Sequence, residues 1–231
     1  MQSAHEKQQS LRTPEGELAL HEYRLRLAGR GWSILHTGAM LTLDDEAHFF
    51  RVLRNRVPYG LALWPAAIAL AHELAARAAA MAGARVLELG AGSGLPGIVA
   101  ASLGARVVQT DRHELAMELC ARNGARNGAA TIERRVADWA AWGDTARYDY
   151  ILGSDILYGA ELHPHLRGIF TGNLAPGGRV LLADPFRATG LRLLEELEAE
   201  GWAVALSTWS VGEEDSPRSI GLFELAPPAE A

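Results

Sequence analysis

Arg85-Val86-Leu87-Glu88-Leu89-Gly90-Ala91-Gly92-Ser93-Gly94-Leu95-Pro96-Gly97-Ile98-Val99-Ala100-Ala101 is the stretch that decides how this 231-residue chain is read. Val86, Leu87 and Leu89 make the short apolar run of a strand buried on both faces. Gly90, Gly92 and Gly94 let the backbone turn sharply and meet a ligand closely, because no Cβ intervenes. Pro96 suits a first helical turn, and the apolar run over residues 98–103 carries the helix onward. Free N–H groups and the positive end of a helix dipole then face a bare loop, a place for a polar or acidic ligand group. Glu88 closes the strand, and a carboxylate there repels phosphate and attracts a cation. Gly92, Gly94 and Gly97 also satisfy G-x-G-x-x-G, in which glycines follow the strand directly and the helix start holds pyrophosphate. Here Glu88 and Gly90 come first, which counts against a nicotinamide-dinucleotide oxidoreductase. A turn that simply requires glycine is the remaining reading, but this many glycines weaken a turn with no packing gain.

Outward from this stretch, strand and helix alternate. Residues 106–111 read as a strand ending in Asp111, followed by a helix over 113–125. Residues 131–136 form a third strand before Asp138-Trp139. Residues 148–152 form a fourth, running into Gly153-Ser154-Asp155-Ile156-Leu157-Tyr158. A helix over 162–174 stops at Pro176-Gly177-Gly178. A strand over 179–183 leads to Asp184-Pro185-Phe186-Arg187, and a helix spans 190–201. Strands over 202–210 and 219–225 have no helix between them, so they pair antiparallel across an exposed loop at 212–217. Upstream, Pro65 opens a helix over 66–81, and Trp64 just before it either caps the core or stands at the mouth of a site. Residues 21–27 and 32–35 form a hairpin around Gly29-Arg30-Gly31. Asp44-Asp45-Glu46 starts a short helix through Phe49, Phe50 and Leu53. The expected organisation is a disordered tail at 1–17, hairpin and short helix at 18–57, and the main domain at 58–226. The fold class is α/β: a doubly wound, mostly parallel seven-stranded sheet with a small N-terminal β-hairpin extension.

With 48% hydrophobic residues the chain can bury a large core, and no apolar run approaches the roughly 18 residues of a membrane span. The start lacks a signal-peptide pattern, and one cysteine, Cys120, in a helical pattern, reads as a buried structural thiol. A reducing, cytoplasmic setting and no membrane association are expected. The net charge of −6 argues against a nucleic-acid surface. His163-Pro164-His165 has no Cys or carboxylate cluster beside it, so no metal site is expected.

Acids close five predicted core strands: Glu88, Asp111, Asp138, Asp155 and Asp184. Ligands of open parallel sheets bind at those strand ends. Asp111 lies about 20 residues past the glycine loop, where an acid binds ribose hydroxyls. Asp138-Trp139 suits an adenine pocket, the carboxylate accepting from the exocyclic amine and the indole covering the ring.

The arrangement E-x-G-x-G-x-G, Leu63-Trp64-Pro65-Ala66-Ala67, Asp138-Trp139 and Asp155-Ile156-Leu157-Tyr158 together resemble the class I (seven-β-strand) S-adenosylmethionine-dependent methyltransferases. Within that class they resemble the protein lysine methyltransferases with a D-x-x-Y motif. The resemblance covers about residues 23–225. It implies S-adenosylmethionine as cofactor, contacted by Trp64, Gly90, Ala91, Gly92, Asp111, Trp139 and Ser154, to which the reading of the glycine loop and strand ends adds Glu88, Gly94 and Asp138, and a protein lysine as methyl acceptor. Asp155 and Tyr158 are then the catalytic pair. Asp155 attracts and orients the lysine, and Tyr158 shapes the amine channel. Free lysine, with a pKa near 10.4, must lose a proton before it attacks, and most of the rate comes from alignment. Phe186 departs from a D-P-G-R element of related proteins, which leaves the substrate open. N-methylation of a small nicotinamide-like amine, transfer to histidine, and a non-catalytic cofactor-binding module are the alternatives.

Overall fold

The structure is a computed structural model that describes residues 9–14, 16–53, 58–211 and 217–228. Two short antiparallel pairs come first: β1 (Ser10–Thr13) with β2 (Gly16–Ala19), then β3 (His21–Leu27) with β4 (Arg30–His36). Then follow α1 (Leu43–His48), α2 (Pro65–Ala76), α3 (Ala78–Met81), β5 (Arg85–Leu89), α4 (Leu95–Ser102), β6 (Arg106–Asp111) and α5 (Glu114–Arg126). β7 (Glu133–Val136), β8 (Tyr148–Ser154), α6 (His163–Asn173), β9 (Leu174–Asp184), α7 (Ala188–Ala199), β10 (Ala203–Val211) and β11 (Arg218–Ala226) complete the chain.

β5 to β11 form one seven-stranded sheet in the order β10-β11-β9-β8-β5-β6-β7. β5, β6, β7, β8 and β9 run parallel, and β11 is antiparallel to both β9 and β10. The inner strands are apolar on both faces, so neighbouring side chains enter opposite cores. Val86, Leu152, Leu181 and Leu222 pack with α2 and α4; Leu87, Ile151, Leu182 and Phe223 pack with α6 and α7. The chain leaves β5 towards β6 and returns to β8 on the other side of β5. That reversal opens a crevice at the carboxyl ends of β5 and β8, the place where doubly wound sheets bind ligands.

Several boundaries differ from the sequence reading. Leu11 is fully buried inside β1, in a segment whose single apolar residue gave no periodicity; residues 1–8 lie outside the described residues, as does the loop at 212–216. The β3–β4 turn has two residues, Ala28 (φ 47°) and Gly29 (φ 79°), with Leu27 paired to Arg30. Positive φ at both positions matches the strand twist, so Arg30 and Gly31 belong to the strand. The helix expected over 66–81 breaks at Arg77, whose guanidinium pairs with Glu73 and with Glu224 on β11. α1 is closed by a reciprocal box: Thr42 accepts from the Asp45 N–H, and Asp45 accepts from the Thr42 N–H.

The hairpin is tied to α5 by two side-chain amides. Asn127 Oδ1 accepts from the Ser33 N–H at 3.0 Å, and its Nδ2 donates to the Ser33 carbonyl at 2.8 Å. Asn123 does the same for Leu35, at 2.7 and 2.9 Å, and its Nδ2 also donates to the Ser93 carbonyl at 2.8 Å. Four helical residues rise about 6 Å and two strand residues about 6.6 Å, so the asparagines stand in for a neighbouring strand. Among the described residues no helix is long and apolar enough to cross a membrane.

Candidate active site

A cavity of about 290 Å³ occupies the crevice, walled by the loops after β5, β6, β7 and β8 and by the segment leading into α2. Its floor is the glycine loop. Gly90 (φ 61°) and Gly92 (φ 55°) hold left-handed conformations that suit glycine. A Cβ at Gly92 would stand 2.5 Å from the Gly60 carbonyl oxygen, and one at Gly90 2.9 Å from Ile156 Cγ2. Asp111 is buried at the end of β6, where Oδ2 accepts from the Gly92 N–H and Oδ1 from the His113 N–H, at 3.1 and 3.0 Å. Each of its oxygens keeps a second lone pair for a ligand. Burial raises its pKa, and those two N–H groups oppose the rise.

Trp139 is half-buried beside Gly90, while Asp138 is exposed and caps the turn Trp139–Ala141 by accepting from the Ala140 N–H at 2.9 Å. Trp64 precedes α2 and is 6% exposed; it stacks on Tyr59 with centroids 4.1 Å apart and donates from Nε1 to the Tyr59 carbonyl. Trp64 thus packs on Phe49 in the core and also lines the cavity. Tyr158, 45% exposed, stands at the rim with its ring 5.7 Å from Tyr59.

Asp155 is only 4% exposed and sits at φ 56° just after β8, its N–H donating to the Ala183 carbonyl at 2.9 Å. Arg187 Nη1 stands 2.6 Å from Asp155 Oδ1 and 3.0 Å from Asp184 Oδ2. Asp155 Oδ1 is thus engaged by the guanidinium, while Asp155 Oδ2 has no hydrogen-bond partner among the described residues. Burial pushes Asp155 up to about 6, with Arg187 pulling the other way.

The crevice thus gathers Trp64, Gly90, Ala91, Gly92, Asp111, Asp138, Trp139, Ser154, Asp155 and Tyr158. Glu88 and Gly94, expected among the cofactor-holding residues, do not line it. Glu88 faces the opposite side of the loop, where it accepts from Gln109 Nε2 at 2.8 Å and lies against Gly97 at the start of α4. Its burial pushes the carboxyl up to about 7. Gly94 (φ 81°) precedes α4 and backs onto Cys120 and Gln109. Both brace the loop from behind. Tyr59, Gly60, Arg112 and His113 line the cavity without having been singled out. In the sequence, Pro58-Tyr59-Gly60 reads only as a break in the chain, and Arg112-His113 only as the residues after Asp111. Among the described residues no group of three or more His, Cys, Asp and Glu side chains stands together as metal ligands.

The strand order and the glycine-floored crevice define the class I methyltransferase fold. Residues 52–189 match the sequence model of the family described as lysine methyltransferase, and the chain belongs to that family. It is 39% identical over 130 residues to the protein N-lysine methyltransferase METTL21A of Xenopus tropicalis, covering 54% of this chain and 60% of that protein. It is 34% identical over 125 residues to the histone-arginine methyltransferase METTL23 of Mus musculus, covering 48% of each. The matches span about half to three fifths of the length of these relatives. The solved magnesium protoporphyrin IX methyltransferase of Synechocystis PCC 6803, with bound S-adenosylmethionine, superposes with a TM-score of 0.54 at 19% identity. That match covers 69% of this chain and 77% of that one, and shares the fold.

Proposed function

We propose that this protein is an S-adenosylmethionine-dependent N-methyltransferase whose acceptor is a lysine side chain of a protein. The observation that carries this is Asp155: a buried carboxylate at the cavity wall, beside the glycine loop, whose Oδ1 is ion-paired with Arg187 and whose Oδ2 has no partner among the described residues. A buried acceptor left unmade is costly, so the arrangement calls for an N–H donor from a ligand. The residues fit the cofactor: Asp111 keeps lone pairs for ribose hydroxyls, Trp139 offers a ring face, and the glycine loop leaves room for a backbone-hugging chain. When bound, S-adenosylmethionine supplies a methyl group activated by a sulfonium.

The chain's own residues do the rest. Asp155 receives the amine and fixes its nitrogen; Tyr59 and Tyr158 flank the approach with aromatic faces that favour a cation. Alignment of nitrogen and methyl group then supplies most of the rate. The half-exposed Tyr158 at the rim, and the 40% exposed Phe50 whose ring lies 5.8 Å from that of Tyr59, leave an open apolar edge, which suits a protein side chain better than a sealed small-amine pocket. A single carboxylate matches the compact ammonium of lysine, whereas planar bidentate recognition of an arginine acceptor would use both oxygens of a carboxylate that Arg187 already engages. The buried Cys120 and the acidic net charge fit a cytoplasmic protein that does not bind nucleic acid.

Radiolabelled S-adenosylmethionine incubated with bacterial lysate tests the proposal, wild type beside Asp155→Ala. A discrete labelled protein band should appear and fall at least about 100-fold in the variant, with cofactor affinity within about twofold. Label confined to small molecules would favour the small-amine reading. Cofactor binding with no label anywhere would favour a binding module.

A further inference from the structure

We propose that Arg187 is a positioning residue for the acceptor amine: it holds Asp155 as an ionised, fixed carboxylate, and Asp184 is the strut that holds Arg187. The inference rests on the methyl-transfer reading above and adds a residue that does not line the cavity. Asp184 Oδ1 accepts from the Arg187 N–H at 2.7 Å, and its Oδ2 from Nη1 at 3.0 Å, so backbone and guanidinium are both anchored. The same Nη1 reaches 2.6 Å from Asp155 Oδ1. Asp155 is therefore charge-paired through Oδ1, while its Oδ2, without a partner among the described residues, is left for a ligand.

Two carboxylates share one guanidinium, which leaves the buried cluster one negative charge in excess. That excess matches a lysine ammonium on arrival and a methylated ammonium on departure. Between those states the amine must be neutral, with its lone pair free. An ionised Asp155 accepts an amine N–H and so turns the lone pair away from itself. A protonated Asp155 would donate to that lone pair and block the nucleophile. Without Arg187, two neighbouring buried carboxylates would retain a shared proton. The other titratable or charged groups around the cluster are Tyr59 before α2, whose phenol burial keeps neutral and which also meets Arg187, Arg218 on β11 with its partner Glu46 on α1, and His163 on α6 near Asp184. None of these has been placed against Asp155 as Arg187 has.

The test compares wild type, Arg187→Gln, Arg187→Lys and Asp184→Asn, each loaded with S-adenosylmethionine. Carbon-13 NMR follows the Asp155 carboxyl against pH, with the resonance assigned by its loss in Asp155→Asn. Arg187→Gln should raise the Asp155 titration by at least about one pH unit. It should shift the acid limb of lysate-protein labelling the same way and cut labelling at neutral pH at least about tenfold, with cofactor affinity within about twofold. Arg187→Lys should recover part of both effects. If Arg187→Gln does not fold, Arg187→Lys carries the test against wild type, and Asp184→Asn tests the strut: it removes a negative charge beside Asp155 and so favours the ionised form, yet labelling should still fall because Arg187 loses its anchor. An unmoved Asp155 titration overturns the proposal, as does a loss of cofactor affinity that parallels the loss of labelling. A shifted titration in a protein that labels nothing overturns the amine role and the methyl-transfer reading, while the charge clamp stands.

Discussion

Glu88 shows most directly what one side chain's direction decides. It sits at a strand end, as a ligand-binding acid would, yet it points behind the glycine loop into a site from which water is excluded. Its carboxyl lies at about 7, well above the ordinary value near 4.5, because burial penalises the charge. The neutral form's contribution to stability is complete below about pH 4.5 and is lost as pH rises through 7. Glu88→Gln keeps the neutral shape and the contact with Gln109. Thermal melts should therefore show little change at pH 5 and a gain on the order of 2 kcal/mol, several degrees, at pH 8. Equal shifts at both pH values would sink this account. Of the five acids the sequence places at strand ends, Asp111, Asp138 and Asp155 line the cavity; Glu88 and Asp184 lie behind it. Chain position tells that an acid ends a strand. It does not tell which way the last residue turns, and at Asp155 a left-handed backbone makes that choice. Arg187 was equally hidden, because its role depends on two acids brought together by β8 and β9, 29 residues apart in sequence at Asp155 and Asp184.

At the scale of elements, alternation carried the reading well wherever a strand is buried on both faces. β5, β6 and β8 follow from their apolar runs, and the antiparallel β10–β11 pair from the missing helix between them. Turns were less legible, since the same glycine-rich run permits more than one register. Gly29-Arg30-Gly31 looks like the turn of the first hairpin, but strand twist favours the tighter Ala28-Gly29 version. Ala28 pays for it with a left-handed φ of 47°. Ala28→Asn, which tolerates that conformation, should stabilise the protein by about 0.5–1 kcal/mol in denaturant unfolding. A loss of stability would mean that another feature sets the turn. β1 escaped for a different reason: one buried leucine in four residues makes no pattern.

Across the whole molecule, the sheet order follows from the succession of strands and helices, and the crevice from the reversal at β5. What the sequence did not disclose is how the N-terminal hairpin joins that frame. Asn123 and Asn127 read as polar residues of a helix, and only the folded chain sets them one turn apart against Ser33 and Leu35. Asn123 also holds the Ser93 carbonyl of the glycine loop, so a single buried amide touches the cavity on one side and the hairpin on the other. This gives the hairpin a measurable view of the cavity. Saturating S-adenosylmethionine should steady the loop at Ser93 and slow deuterium uptake at the Leu35 amide. Ser33, held by Asn127, which makes no bond to the loop, is the internal reference and should slow less. Equal protection at both amides would mean that ligand merely stabilises the fold as a whole. Unequal protection would make a backbone proton in the extension a reporter of occupancy in a pocket it does not line.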